Sequence, residues 1–201
     1  MAEKISIRMV LPQSQLAAFA SLLQRGVRMR ATVGCTVLNL LNEQFGVDKD
    51  YIVERITTLF VDGKAIDGLE TTYVRDGSVL ALSAAMPGLV GATMRRGGHL
   101  SAMRSNMTYQ EHQVEEGGVG WVRIKLFNMV LFELGGQFLQ QGVWLRGAEL
   151  QELLAERSEP FWQSFGVAIW ENQQVDPAGM KDRAAQLAAE TEVLLRVEFK
   201  A

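Results

Sequence analysis

Cysteine is almost missing from this chain: 201 residues contain one, Cys35. A lone thiol excludes an intrachain disulfide and any metal or iron–sulfur site built from the cysteines of one chain, and it fits a reducing compartment. Long apolar runs are missing as well. Met1-Ala2-Glu3-Lys4-Ile5 leads straight into alternating sequence, so neither a signal peptide nor a membrane span is expected, and the expected location is the cytoplasm, with no membrane partner. Charge of one sign is not concentrated anywhere: residues 1–99 carry 11 basic and 9 acidic side chains, and residues 100–201 carry 9 and 14. Arg8, Arg28 and Arg30 are too few for the dense basic stripe that a phosphate backbone needs, so no nucleic-acid partner is expected. A phosphate-binding glycine loop with its lysine and hydroxyl is absent, as is a serine in a nucleophile elbow. With no nucleophile, base and oxyanion site in view, the reading is a non-enzymatic protein without metal or cofactor.

What is present is a globular composition, 48% hydrophobic and 21% charged, with enough apolar residues for a core. Ile5 to Leu11 alternates and is β-branched, which predicts a strand that ends at Pro12, where a ladder donor is lost. Gln13 to Leu23 predicts a short helix or irregular turn before Gly26. Val27 to Val33 alternates again, with Arg28 and Arg30 on the polar face. Thr36 to Phe45 carries Val37, Leu38, Leu40, Leu41 and Phe45 at helical spacing, closed by Gly46. Ile56 to Val61 predicts a strand, Asp62-Gly63-Lys64 a tight turn, and Ser78 to Ser83 a largely buried strand. Strand, strand, helix, strand, short strand, strand is the order of a β-grasp fold, in which a mixed sheet wraps one helix and the last strand lies in the middle.

From residue 86 to 120 the character changes to glycine-rich sequence of neither helical nor strand period. A connector of this length is usually functional or mobile. Leu100 to Arg104 predicts a helical turn within it.

After Gly120 the pattern restarts. Val122-Arg123-Ile124-Lys125-Leu126-Phe127 repeats the alternation of Ile5-Ser6-Ile7-Arg8-Met9-Val10, and Leu139-Gln140-Gln141-Gly142-Val143-Trp144-Leu145-Arg146 matches Leu23-Gln24-Arg25-Gly26-Val27-Arg28-Met29-Arg30. Leu150, Leu153 and Leu154 rebuild the helical stripe, and Glu192 to Val197 stands where Gly77 to Leu82 stood. An α+β protein of two tandem β-grasp domains follows, 1–85 and 121–201, joined by the connector 86–120.

Lys125-Leu126-Phe127, Phe132-Glu133-Leu134-Gly135-Gly136 and Val167 to Asp176 in the second half resemble the small sulfur-carrier family, the ubiquitin-like small subunit of molybdopterin synthase and its thiamine-pathway relative. The first half resembles it through Leu59 to Ile66 and Arg75 to Leu82. The resemblance implies ubiquitin-like domains and a protein partner, an adenylating or molybdopterin-pathway enzyme. In that family a flexible tail ending in two glycines is adenylated and converted to a thiocarboxylate. Here the second half ends Val197-Glu198-Phe199-Lys200-Ala201, and Gly97-Gly98 is internal. The resemblance therefore implies a non-enzymatic, protein-binding relative of the carriers. The alternative is a precursor cut after Gly98 to expose a carrier tail.

The expected contact surface is the connector: Met86, Leu89, Val90 and Met94 supply adaptable apolar groups and Arg95 and Arg96 supply charge, with Leu100 and Met103 beside them. Cys35 stands at an expected helix start, where the dipole lowers a thiol's pKa, but no histidine is near it in sequence and it is read as a packing residue. His99 and His112, with Glu111, Glu115 and Glu116, lack a defined ligand spacing and are read as solvated. The four tryptophans, Trp121, Trp144, Trp162 and Trp170, are read as core or interface aromatics.

Overall fold

The computed structural model describes residues 4–107 and 117–200. Within them the chain is α+β with mixed strand pairing. The strands are β1 (Lys4–Pro12), β2 (Val27–Val33), β3 (Thr58–Val61), β4 (Lys64–Ala65), β5 (Val79–Ser83), β6 (Gly118–Leu126), β7 (Val143–Arg146), β8 (Ala168–Trp170), β9 (Gln173–Val175) and β10 (Glu192–Lys200). The helices are α1 (Ala20–Arg25), α2 (Val37–Asn39), α3 (Lys49–Glu54), α4 (Gly88–Met94), α5 (Asn128–Gln141), α6 (Gly147–Ala155), α7 (Glu159–Gln163) and α8 (Pro177–Ala185). Tight 3₁₀ turns at Gln13–Phe19 and Ser101–Met107 add to these. Among the described residues no helix is long and apolar enough to cross a membrane.

The chain divides into two compact units, Met1–Val27 with Gly135–Ala201, and Arg28–Leu134. These units cut across the sequence segments 1–85, 86–120 and 121–201. The first strand of the first half belongs with the second half's strands, and the second half's first strand belongs with those of the first half.

In the unit Arg28–Leu134 the strands run in the order β4-β3-β5-β6-β2. β5 is in the middle, the place the β-grasp reading gives to a half's last strand. It pairs antiparallel with β3 and parallel with β6, with Leu80 opposite Ile124 and Leu82 opposite Leu126. Those four side chains are fully buried, because period-2 alternation sends them all to one face, and Leu40, Leu41, Phe45 and Ile52 of the helical segments are buried too. The predicted helix at Thr36–Phe45 forms, and Thr36 caps it by accepting the Asn39 N–H at 3.2 Å. It is α-helical only for its first turn. Leu40–Gln44 widens to π geometry, with the Phe45 N–H donating to the Leu40 carbonyl at 3.1 Å. Leu40, Leu41 and Phe45 are then all buried, and Gly46, at φ 64°, ends the helix.

In the other unit the order is β7-β10-β1-β8-β9. β1 is central, where the β-grasp reading puts the last strand β10, and it pairs parallel with β10 from Lys4 opposite Glu192 to Pro12 opposite Lys200. Its inward residues Ile5, Ile7, Met9 and Leu11 are buried, as are Val193, Leu195 and Val197 on β10. Pro12 ends the strand as expected. Leu22, Leu23, Leu150 and Leu153 are buried in the same unit, and an edge-to-face aromatic cluster reaches β10, with Phe19 6.0 Å from Phe199 and 6.5 Å from Phe161.

Several helices go beyond the sequence reading. Asn128–Gln141, which contains Phe132-Glu133-Leu134-Gly135-Gly136, is a helix of 14 residues, α5. α3 starts at Asp48, whose carboxylate accepts the Tyr51 N–H at 2.9 Å, and α8 starts at Asp176 with Pro177 in its first turn.

Candidate functional site

The described part of the connector forms α4 and the turn Ser101–Met107, both within the unit Arg28–Leu134. The expectation that this stretch is neither helix nor strand is corrected: Gly88–Met94 is helical. Gly88 takes φ 78°, which turns the chain from extended Pro87 into the helix. Gly91 permits the tight entry, since a Cβ there would lie 2.1 Å from the Met86 carbonyl oxygen.

Two arginines hold the segment down. The backbone N–H of Arg96 donates to the Thr57 carbonyl at 2.8 Å, and its guanidinium donates to the Val53 and Ile52 carbonyls at 2.6 and 3.3 Å, at the C-terminal end of α3. A cation there answers the negative end of the helix dipole. Burial holds the Arg96 pKa below the ordinary arginine value. Arg104 is fully buried; it donates to the Met94 carbonyl at 3.2 Å and pairs with Asp67. Asp67 also accepts the Gly97 N–H at 2.8 Å. One half-exposed carboxylate thus receives both the glycine turn and the buried guanidinium.

The proposed contact residues separate into two sets. Leu89 and Val90 are 67% and 66% exposed, and Met86, Arg95 and Met103 are exposed with them. Met94 is buried and Arg96 is committed to α3, so these two hold the segment in place. Beside α4 lies a groove of about 640 Å³, bordered by Met86, Arg95, Gly97, Gly98, His99 and Leu100. Asp67 and Arg104 were missed in the sequence reading. Asp67 is one charged residue in a turn, and nothing local announces that a guanidinium far along the chain will be buried against it.

His99 is exposed, and His112, Glu111, Glu115 and Glu116 lie outside the described residues. Cys35 donates its thiol to the Thr32 carbonyl and accepts from Gln44 Nε2, both at 3.3 Å, and burial pushes the thiol pKa up. That is the reverse of an activated nucleophile. Arg28 and Arg30 lie 5.2 and 5.7 Å from the Trp121 ring, whereas Arg8 belongs to the other unit and pairs with Glu198 at 2.7 Å. Of the tryptophans, Trp144, Trp162 and Trp170 are buried and Trp121 is half-buried. Comparison with family models, with curated proteins and with solved structures finds no match to this chain.

Proposed function

We propose that this protein is a non-enzymatic, ubiquitin-like binding module related to the sulfur carriers, built from two halves that have exchanged their first strands: the unit Arg28–Leu134 keeps the β-grasp order, and the other unit departs from it by carrying β1, not the last strand β10, in the middle. The exchange is supported by the two parallel pairs: β1 runs beside β10, and β6 beside β5, each a half's first strand next to the other half's last. The binding role rests on one observation, the two adjacent apolar side chains Leu89 and Val90 held out to solvent on a helix that is itself fastened down. Exposing them forgoes about 1.5–3 kcal/mol each, which a protein partner regains by covering them. A rigid mount lowers the entropy lost on binding. The partner class, an adenylating or molybdopterin-pathway enzyme, comes from the sequence resemblance.

The precursor reading has less behind it. Gly97 is tied to Asp67, and the compact unit Arg28–Leu134 runs through the cleavage point. Fragments cut after Gly98 would each retain a strand of the other's sheet.

A photo-crosslinking residue at Leu89, expressed in the native host, should give one dominant protein adduct, and Leu89→Asp with Val90→Asp should abolish that complex while leaving the circular dichroism spectrum unchanged. A complex that survives the double substitution refutes the surface. Intact mass of the native protein addresses the alternative, since a fragment ending at Gly98 would favour the precursor.

A further inference from the structure

The unit Met1–Val27 with Gly135–Ala201 contains a cavity of about 520 Å³ lined from α6, α7 and α8. Its size falls in the roughly 300–1,000 Å³ range of small-molecule sites. The apolar wall is Leu154, Trp162 and Ala184, all buried. The charged lining residues are Arg157 and Lys181, with the Glu156 carboxylate beside Arg157.

Each of these groups is placed by the sequence around it. Asp176 accepts the Gly179 N–H at 2.7 Å and Pro177 presets the first turn of α8, which carries Lys181. Lys181 Nζ then stands 4.5 Å from the centre of the Trp162 ring. Gln151 donates to the Ala184 and Leu187 carbonyls, each at 3.0 Å, and ties the end of α8 to α6. Gln151 is thereby occupied, and the charged lining is Lys181 with Arg157.

Arg157 has the less settled surroundings. Its side chain is 10% exposed, one terminal nitrogen donates to the Ala18 carbonyl, and the other reaches half-exposed Glu156 at 3.2 Å. Its Nε is buried and has no hydrogen-bond partner among the described residues. That nitrogen is closed off from the open space of the cavity, so Arg157 offers a ligand only the terminal nitrogen beside Glu156.

We propose that this cavity binds a small organic anion, a carboxylate or phosphate monoester on a flat apolar body, with its oxygens toward Arg157 and Lys181 and its body against Trp162 and Leu154. The cations fix the charge of the ligand, and the tryptophan face and the aliphatic wall fix the shape of the rest. This site lies in the unit that does not carry α4, and it stands or falls independently of the protein-binding surface.

The test is a titration of the full-length protein with phenyl phosphate, followed through the indole ¹H–¹⁵N resonance of Trp162, which Trp162→Phe assigns. A ligand of this size should bind saturably in the millimolar range. Lys181→Ala should weaken binding by about tenfold, the loss expected for one charge-assisted contact. Ala185→Glu, an exposed change at the lining, should abolish it without disturbing the fold. Inorganic phosphate and benzyl alcohol should each bind at least about tenfold more weakly, because each lacks one half of the recognition. The absence of a saturable Trp162 shift, or unchanged binding in both variants, overturns the proposal. So does equal binding of either control compound.

Discussion

The two units solve the same problem over different chain distances. In Arg28–Leu134 the parallel pair joins β5 to β6, which are separated by the connector alone, over four registered partners. In the other unit it joins β1 to β10, the first and last strands of the chain, over nine. Loop-closure entropy grows slowly with length, so the longer connection adds little to the equilibrium cost, and the larger ladder more than offsets it. Speed differs more, because contacts between distant segments form late. The unit Arg28–Leu134 is therefore expected to fold first, and the other to wait for both ends of the chain. Pulse-labelling hydrogen exchange during refolding should protect β3, β5 and β6 before β1 and β10; the reverse order would refute the contrast.

The strongest way to break the comparison is to delete residues 1–12. Removing β1 takes the central strand out of one sheet and leaves Val193, Leu195 and Val197 of β10 without their partners. Hydrogen exchange should show global loss of protection in β7 to β10, with β3 and β5 keeping theirs. Uniform loss across both units would mean that they are one cooperative body.

Next in size is Asp67→Ala, which acts on the unit Arg28–Leu134. It leaves fully buried Arg104 without its carboxylate and releases the Gly97 N–H. The expected loss is about 2–3 kcal/mol by urea unfolding, at the low end for breaking a buried pair because Asp67 is half exposed. Arg104→Met in the same background should recover part of it, since the uncompensated charge is then gone.

Glycine substitutions should separate the units by sign. In Gly136→Ala the new methyl meets Phe199 at 3.5 Å, an ordinary contact inside α5, so better helix propensity should stabilise by about 0.5–1 kcal/mol. Gly91→Ala should destabilise, because the methyl would lie 2.1 Å from the Met86 carbonyl oxygen. Thermal melts of the two variants measure both, and the same sign in both would refute the argument.

The smallest effect concerns Glu133 on α5, which accepts from the Tyr51 hydroxyl at 2.5 Å and from Arg55 at 2.8 Å. Those hydrogen bonds, Tyr51's first, hold the Glu133 pKa below the usual carboxylate value. A depressed folded-state pKa contributes stability above the unfolded value and loses it as pH falls through the folded one. Glu133→Gln should therefore flatten the acid limb of stability below about pH 5, slightly, because the cluster faces solvent. An unchanged acid limb would show that solvent screens the cluster completely.

Much of the local structure was readable from sequence. Alternation in Ile5 to Leu11, Val27 to Val33 and Val122 to Phe127 located strands because period 2 matches the pleat. Thr36 and Gly46 marked the two ends of a helix. α4 was not readable, because Gly88 and Gly91 lower helix propensity and the helix depends on Met94, Arg96 and Arg104 anchoring it from outside. The sequence reading grouped Met86, Leu89, Val90, Met94, Arg95 and Arg96 as one surface and could not divide Leu89 and Val90 from Met94 and Arg96. That division depends on which side of a helix of about two turns meets the rest of the unit.

By itself, then, the sequence determined which residues alternate, where strands stop and where helices are capped, since these depend on neighbours within a few positions. With Cys35 as the single cysteine, it also excluded an intrachain disulfide and a cysteine cluster within one chain. Only the tertiary structure decided which strand lies beside which, that β1 joins β10 and β6 joins β5, and that Asp67 receives Arg104. Either half's first strand presents the same alternating apolar edge, so local pattern does not distinguish a partner within its own half from one in the other. The choice is made by packing and hydrogen-bond register summed over a whole sheet.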